Sequence, residues 1–383
     1  MLALGNSVYH PYYVIGNKKF QSKFEALNYA RDHNQTNITY HFHDEVFGSY
    51  DWTTEPTESL SELYRQRAEQ LRNQYEYLIL AFSGGADSTN ILRTFVDNKI
   101  HLDEIVVYHS LEGDGDTQSF YNFETFNVAL PVLEKLLTGT KTKITVIDTT
   151  LATLDYWKLV NKFDFLHYNS FCFSPNNLAR NIIKIQNSEL RQIYNTSKTV
   201  AYITGIDKPI VTYIEGQAFF QFNDCIDTTL SYYLRDKNHT REIDEFFYWT
   251  PNFPKIAIKQ SHVLKRYYDS ANLDQVLGQT RPQGLGKIIK RGKLYGQSHS
   301  TLPSLIYDNW DITTPSVGKS STGLVYSLRD QWFLESGRPE AQTFKDAMQY
   351  FFQNIPTDYI NPETTMPSVR AILSRPYALT KPL

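Results

Sequence analysis

Six consecutive residues, Ser83-Gly84-Gly85-Ala86-Asp87-Ser88, carry the clearest chemical signal in this 383-residue chain. They follow an apolar run from Tyr77 to Phe82 and precede a helix-like segment. Glycines at the end of a buried strand let backbone N–H groups approach an anion closely, and the start of the next helix adds its dipole. Ser83 and Ser88 bring hydroxyl donors. Asp87 would repel a phosphate in such a nest unless a divalent cation bridged the two. The stretch is therefore expected to be a phosphate cradle with a built-in magnesium ligand.

A second stretch, "TVAYITGIDKP" from Thr199 to Pro209, repeats this logic. An apolar strand leads into Thr204-Gly205, then Asp207 and Lys208, although Gly-x-Asp is also a common turn. "FCFSPNNLAR" places Ser174 and Pro175 at the cap and first turn of a helix, with Arg180 further in. Asn176, Asn177 and Arg180 suit a polar or carboxylate-bearing molecule, and equally suit capping plus a surface arginine. In "HFHDE", His41 and His43 would share one face of a strand, an arrangement found in metal sites and on plain surface strands alike. "GLGKIIKRGK" gathers Lys287, Lys290, Arg291 and Lys293, either to close over phosphates, to touch RNA or as a solvated run.

The elements needed to position these residues follow from the hydrophobic pattern. Strands are expected at Tyr77–Phe82, Glu104–Tyr108, Lys143–Ile147 and Thr199–Thr204, with helices at Ser88–Phe95, Ser119–Leu137 and Asn177–Ile185 between them. Apolar, β-branched strands alternating with helices indicate an α/β, doubly wound and mainly parallel sheet. "IEGQAFFQFND" is expected to add an edge strand. Residues 1–55 form a small α+β unit: a hairpin at "YYVIGNKKF", a helix at "SKFEALNYARDH" and a strand at "NITYHFHDEVF". A helix carrying Leu60, Leu63, Tyr64, Ala68 and Leu71 opens a central domain, 56–260. Residues 261–383 form a C-terminal region, mostly helical or irregular.

Ser83 to Ser88 matches the SGGxDS loop of the N-type ATP pyrophosphatases, the PP-loop superfamily that includes the synthetase domain of asparagine synthetase, and the resemblance extends over about Tyr77 to Gln260. It implies an enzyme that splits ATP into AMP and pyrophosphate with magnesium, passing AMP to a substrate oxygen. In that family a later strand end supplies a further magnesium contact, which falls here on Asp207 beyond Gly205, with Lys208 facing the phosphates. The end of "EIVVYHS" would lie beside adenine, with backbone groups around Val107 and Tyr108 reading its edge and His109 and Ser110 as wall residues. The helix start at Ser174 would border the acceptor substrate. A lysine from "FPKIAIKQSHVLKRYY", foremost Lys259 among Lys255, Lys259 and Lys265, would neutralise charge on the phosphates.

Other classes are excluded by composition. A net charge of −3 provides no global field toward nucleic acid or membrane, and no apolar run approaches a membrane span. Two cysteines, Cys172 and Cys225, rule out a four-cysteine zinc site and argue for a reducing cytoplasm. Leu2 after Met1 and the short N-terminal unit do not match the glutaminase half of glutamine-dependent relatives, so ammonia, an amine or another nucleophile is expected. Gly318-Lys319-Ser320 fails as a Walker loop because Thr313 stands where glycine is needed. The leading expectation is adenylation of a carboxyl or carbonyl oxygen of a small molecule, then displacement of AMP by nitrogen. A base-modifying enzyme acting on nucleic acid and a non-catalytic nucleotide-binding protein are the rival readings.

Overall fold

The structure is a computed structural model that describes residues 11–110, 122, 124–159, 164–167, 174–175, 199–205, 209–224, 242–270, 287–289, 305–308, 328–361 and 368–381. Its centre is a five-stranded sheet of β4 (Tyr77–Ala81), β5 (Glu104–His109), β6 (Lys143–Asp148), β7 (Val200–Thr204) and β10 (Glu242–Phe246). The order is β10-β7-β4-β5-β6, and every pairing is parallel. Alternate residues of the central strands enter two separate clusters. Leu78, Leu80, Ile105, Val107, Ala201 and Ile203 face one way, against helices α4 (Ala86–Asp97) and α5 (Leu130–Leu137). Ile79, Val106, Tyr108, Ile147, Val200 and Tyr202 face the other way, where Ala152 of α6 (Thr150–Leu159) packs on them. Burial on both faces is why these strands are continuous apolar runs, and the fold is α/β and doubly wound.

The strand order places β5 and β6 on one side of β4 and β7 and β10 on the other. The chain thus reverses its direction of travel across the sheet at β4, opening a crevice at the carboxyl ends of β4 and β7, where such sheets bind ligands. Strand β10 carries three acids in five residues, "EIDEF", and gives no apolar strand signal. It holds its edge position because buried Glu245 accepts Arg67 Nη2 at 2.5 Å and the Tyr75 hydroxyl at 2.5 Å.

The expected edge strand at "IEGQAFFQFND" instead belongs to a second sheet. Strands β8 (Ile210–Ile214) and β9 (Gln217–Gln221) form an antiparallel hairpin turning on Glu215 and Gly216, both with positive φ, as the twist-compatible two-residue turn requires. With β11 (Lys287–Ile289) and β14 (Tyr377–Ala378) they make a four-stranded sheet in the order β11-β8-β9-β14.

The N-terminal unit has β1 (Tyr12–Ile15), β2 (Lys18–Phe20), α1 (Lys23–Asp32) and β3 (Thr39–His41), with the hairpin turning at Gly16 (φ +58°). Beyond β3 the expected strand does not continue. His43 takes a left-handed conformation (φ 51°) and starts the short α2, Asp44–Phe47, so the two histidines do not share a strand face. His41 Nδ1 instead meets Asp44 Oδ2 at 2.9 Å. Helix α3 (Leu60–Gln74) opens on a Ser59–Glu62 capping box and buries Leu60, Leu63, Tyr64, Ala68 and Leu71, the stripe its spacing predicts.

After β10, helix α7 (Lys255–Ser270) runs unbroken past residue 260, and the C-terminal region contributes α8 (Leu328–Glu335), α9 (Pro339–Gln353), the antiparallel pair β12 (Ile360–Asn361) and β13 (Ser368–Val369), and β14. This region returns to the N-terminal unit: Phe24 packs on Phe351, and Asn28 Nδ2 donates to the Asn354 carbonyl at 3.2 Å. Buried Lys23 pairs with Asp224 at 2.6 Å, beside the Ile372 N–H that donates to the same carboxylate at 2.8 Å. No helix among the described residues is long and apolar enough to cross a membrane. The expected helix at Asn177–Ile185, the start of that at Ser119–Leu137, both cysteines, Lys290, Arg291, Lys293 and Gly318-Lys319-Ser320 lie outside the described residues.

Candidate active site

Strand β4 ends at Ala81, and after four intervening residues α4 begins at Ala86. Gly84 in this turn has φ +75°, and a Cβ built on it would lie 3.0 Å from both Cα and N of Ala129. Glycine is thus required there twice, for the left-handed backbone and for the close approach of the neighbouring helix. Gly85 is the N-cap of α4 and supplies no side-chain cap. The serines brace the turn: Ser88 Oγ donates to the Gly85 carbonyl at 3.2 Å and accepts the Ser83 N–H at 3.3 Å. Ser83 Oγ accepts the Gly85 N–H at 3.4 Å.

Asp87, in the first turn of α4, is the point where distant parts of the chain converge. Gly205, directly after β7, stands so close that a Cβ on it would lie 3.1 Å from Asp87 Cβ and 3.2 Å from Ile91 Cδ1. The Tyr307 hydroxyl donates to Asp87 Oδ1 at 2.5 Å, and the Tyr248 hydroxyl donates to the Asp87 backbone carbonyl at 2.9 Å. Tyr248 in turn accepts from Asn90 Nδ2 at 2.9 Å. The Tyr64 ring completes a cluster with Tyr248 and Tyr307, and its hydroxyl donates to the Ile306 carbonyl at 2.6 Å while accepting Gln260 Nε2 at 2.9 Å. Burial first, and the Asp87 charge second, push the Tyr307 hydroxyl well above its ordinary pKa; burial does the same to Tyr248. Both remain neutral donors.

At the end of β5 the wall expected beside adenine is built from backbone and helix together. The Tyr108 hydroxyl turns to the far face of the sheet, 2.6 Å from that of Tyr202, while its carbonyl accepts Thr125 Oγ1 at 3.1 Å. Val107 faces the α4 side. The His109 ring meets Phe126 edge-on at 5.4 Å, and the His109 carbonyl accepts both N–H and hydroxyl of Thr149 at 2.8 Å. Ser110 Oγ lies 2.6 Å from Thr149 Oγ1.

Thr125–Ala129 is a π-helical turn, closed by the Leu130 N–H on the Thr125 carbonyl five residues back. It sets Ala129 against Gly84, Thr125 on Tyr108 and Phe126 on His109. Its participation was not expected from a pattern read as one regular helix. The signal available is its termination in Leu130-Pro131, since proline has no N–H to complete a preceding turn.

Other expected residues are placed differently. Lys259 lies on α7, its ammonium 2.8 Å from Glu55 Oε1 and donating to the Pro56 carbonyl at 2.9 Å. Lys255 pairs with Glu58 and Lys265 with Asp269. Ser174 is buried and donates to Asp330 Oδ1 of α8 at 2.8 Å, and the Pro175 carbonyl accepts Trp157 Nε1 at 3.3 Å. Asp207, Lys208, Asn176, Asn177 and Arg180 lie outside the described residues.

Among the described residues no group of three or more His, Cys, Asp or Glu side chains is placed to hold a metal ion. Magnesium carried on a nucleotide takes only one or two protein carboxylates and keeps its waters and phosphate oxygens, and a single aspartate beside a glycine cradle fits that requirement.

No protein-family model matches the chain. No curated protein matches it either. Among solved structures, an NAD+ synthetase from Burkholderia pseudomallei is similar at 12% identity with a TM-score of 0.28, covering 81% of this chain and 95% of its own. At that score the likeness carries no argument, and the α/β doubly wound fold rests on the strand order and the two buried faces.

Proposed function

We propose that the protein is an AMP-forming ligase of the N-type ATP pyrophosphatase kind. One observation carries this reading: the Ser83–Ser88 turn, shaped by Gly84 and uncapped at Gly85, lies at the β4–β7 reversal with Asp87 pressed against Gly205. An acceptor oxygen, of a carboxyl or carbonyl group on a small molecule, attacks the α-phosphorus of ATP. The bond from that phosphorus to the bridging oxygen breaks, and pyrophosphate leaves with the electron pair. A nitrogen nucleophile then displaces AMP from the adenylated acceptor and gives up its proton.

The chain's part is positioning and charge stabilisation. Backbone N–H groups of Gly84 and the α4 first turn hold the departing pyrophosphate, and Ser83 and Ser88 keep that turn in shape, Ser83 Oγ by accepting the Gly85 N–H. Bound magnesium would offset the charge growing on the phosphates, held by Asp87 with Asp207 as second ligand; Lys208 would add a positive charge toward the phosphates, and Gly205 leaves room beside Asp87. Val107, Tyr108 and His109 flank the base, and Ser174, Asn176, Asn177 and Arg180 border the acceptor. Lys259 is committed to Glu55 and Pro56, and this chemistry does not use it.

Incubation with ATP, magnesium and a panel of small carboxylic acids with ammonia tests the reading. AMP and pyrophosphate in equal amounts are expected. ADP with orthophosphate, and no AMP, would overturn it.

A further inference from the structure

Resting on the reading of Asp87 as a magnesium ligand, we infer that Tyr307, 220 residues away in sequence, is the positioning residue that limits Asp87 to one oxygen toward the cation and so sets the site's preference for magnesium over calcium. The Tyr307 hydroxyl donates to Asp87 Oδ1 at 2.5 Å. With that oxygen engaged, a cation meets the carboxylate through one atom. Magnesium demands octahedral geometry at short distances and suits one-oxygen contact, whereas calcium accepts both oxygens of a carboxylate in a larger, looser shell.

The tyrosine is rigidly held for this task. Its ring is buried against Tyr64 and Tyr248, and the Tyr64 hydroxyl fixes the adjacent Ile306 carbonyl at 2.6 Å. Ser61 of α3 bonds Asp308 on the other side of it. Tyr248 holds a different part of the same residue, the Asp87 backbone carbonyl at 2.9 Å. Position of the main chain and orientation of the carboxylate are thus assigned to two tyrosines, which makes them separable by experiment.

The test uses full-length protein saturated with an ATP analogue carrying a methylene between the α- and β-phosphates. Bound Mn2+ is followed by electron paramagnetic resonance, and its displacement by Mg2+ and by Ca2+ yields the ratio of their affinities. Tyr307→Phe should move that ratio toward calcium by about tenfold, as expected when one hydrogen bond to a charged acceptor is lost. Tyr248→Phe should leave the ratio within about twofold of wild type, since it does not touch the carboxylate. Analogue affinity without metal should be unchanged in Tyr307→Phe, which separates cation selection from damage to the cradle. Circular dichroism melting checks the fold, and Tyr307→Met is the second donor-free variant should the first not fold.

A wild-type Mg2+/Ca2+ ratio in the donor-free variant would overturn the role of Tyr307. If Asp87→Asn loses Mn2+ while that ratio stays unchanged, only the Tyr307 role fails. If Asp87→Asn keeps wild-type Mn2+ affinity, the assignment of Asp87 as ligand fails, and the Tyr307 role with it.

Discussion

Gly205 at the end of β7 and Asp87 in the first turn of α4 touch so closely that a β-carbon on the glycine would lie 3.1 Å from the Asp87 β-carbon. Two strand ends more than a hundred residues apart in sequence therefore meet at the crevice through Gly205 and the first turn of α4. The contact makes the Asp87 position depend on residue 205 having no side chain. Gly205→Ala should displace Asp87 by a few tenths of an ångström and lower AMP formation by about tenfold or more, since small misplacements at a reacting centre are costly. Overpacking should remove about 1–3 kcal/mol of stability. Turnover and thermal melting on one preparation check both, and wild-type turnover would show that the contact relaxes harmlessly.

Gly84 and Gly16 provide a controlled comparison. Both have positive φ, but a Cβ on Gly16 meets nothing within 4 Å, whereas one on Gly84 meets the Ala129 backbone at 3.0 Å. Gly16→Ala should cost about 1–2 kcal/mol, the left-handed penalty alone, with ATP binding intact. Gly84→Ala should cost more and abolish nucleotide binding as the π-helical turn moves away. Urea unfolding and calorimetric titration with ATP distinguish them; equal losses in both variants would contradict the close approach.

Asp87→Asn should fold normally, since an asparagine amide oxygen can still accept the Tyr307 hydroxyl, and should lose AMP formation if the carboxylate holds the cation as proposed. The loss is expected to reach several kcal/mol of transition-state stabilisation. Chelating the metal from wild-type protein should produce a similar loss, reversed by added magnesium. Asp207→Asn should act in the same direction with smaller effect. Near-normal turnover of Asp87→Asn at saturating magnesium would remove it from the chemistry.

His262 should give stability a slope on the acid side of neutrality. Its Nε2 lies 2.9 Å from the Trp52 carbonyl, and burial lowers its pKa below the ordinary 6.5. The unfolded chain therefore takes up a proton at a pH where the folded chain does not. Stability is fully present above the ordinary value and is lost as pH falls from there toward the lowered one. His262→Gln should flatten that part of the curve, read as the difference in urea midpoints between wild type and variant from pH 7 down to pH 5. Parallel curves would show that His262 titrates alike in both states.

The Tyr77–Phe82 run, the glycine turn and the α4 pattern were legible in the chain because each is contiguous. Strand burial, left-handed backbone and helix initiation are decided by near neighbours, so sequence alone determined the α/β class, four of the five parallel strands and the strand–glycine turn–helix order around Ser83–Ser88. Tertiary structure decided the rest. Strand β10 is acidic and becomes a strand only because Arg67 and Tyr75, 178 and 170 residues distant, satisfy Glu245. "IEGQAFFQFND" has strand character, but its sheet was settled by a turn of two positive-φ residues and by β14 arriving from the far end of the chain. The histidines of "HFHDE" alternate as a strand would, yet the Asp44 carboxylate accepts the Phe42 N–H at 3.2 Å and lies 2.9 Å from His41 Nδ1, and the chain turns into a helix there. Tyr307 carries no local mark of a role, since only the folded chain sets its hydroxyl on Asp87. Local pattern specifies backbone shape, but a buried polar atom takes its partner from wherever the fold delivers one.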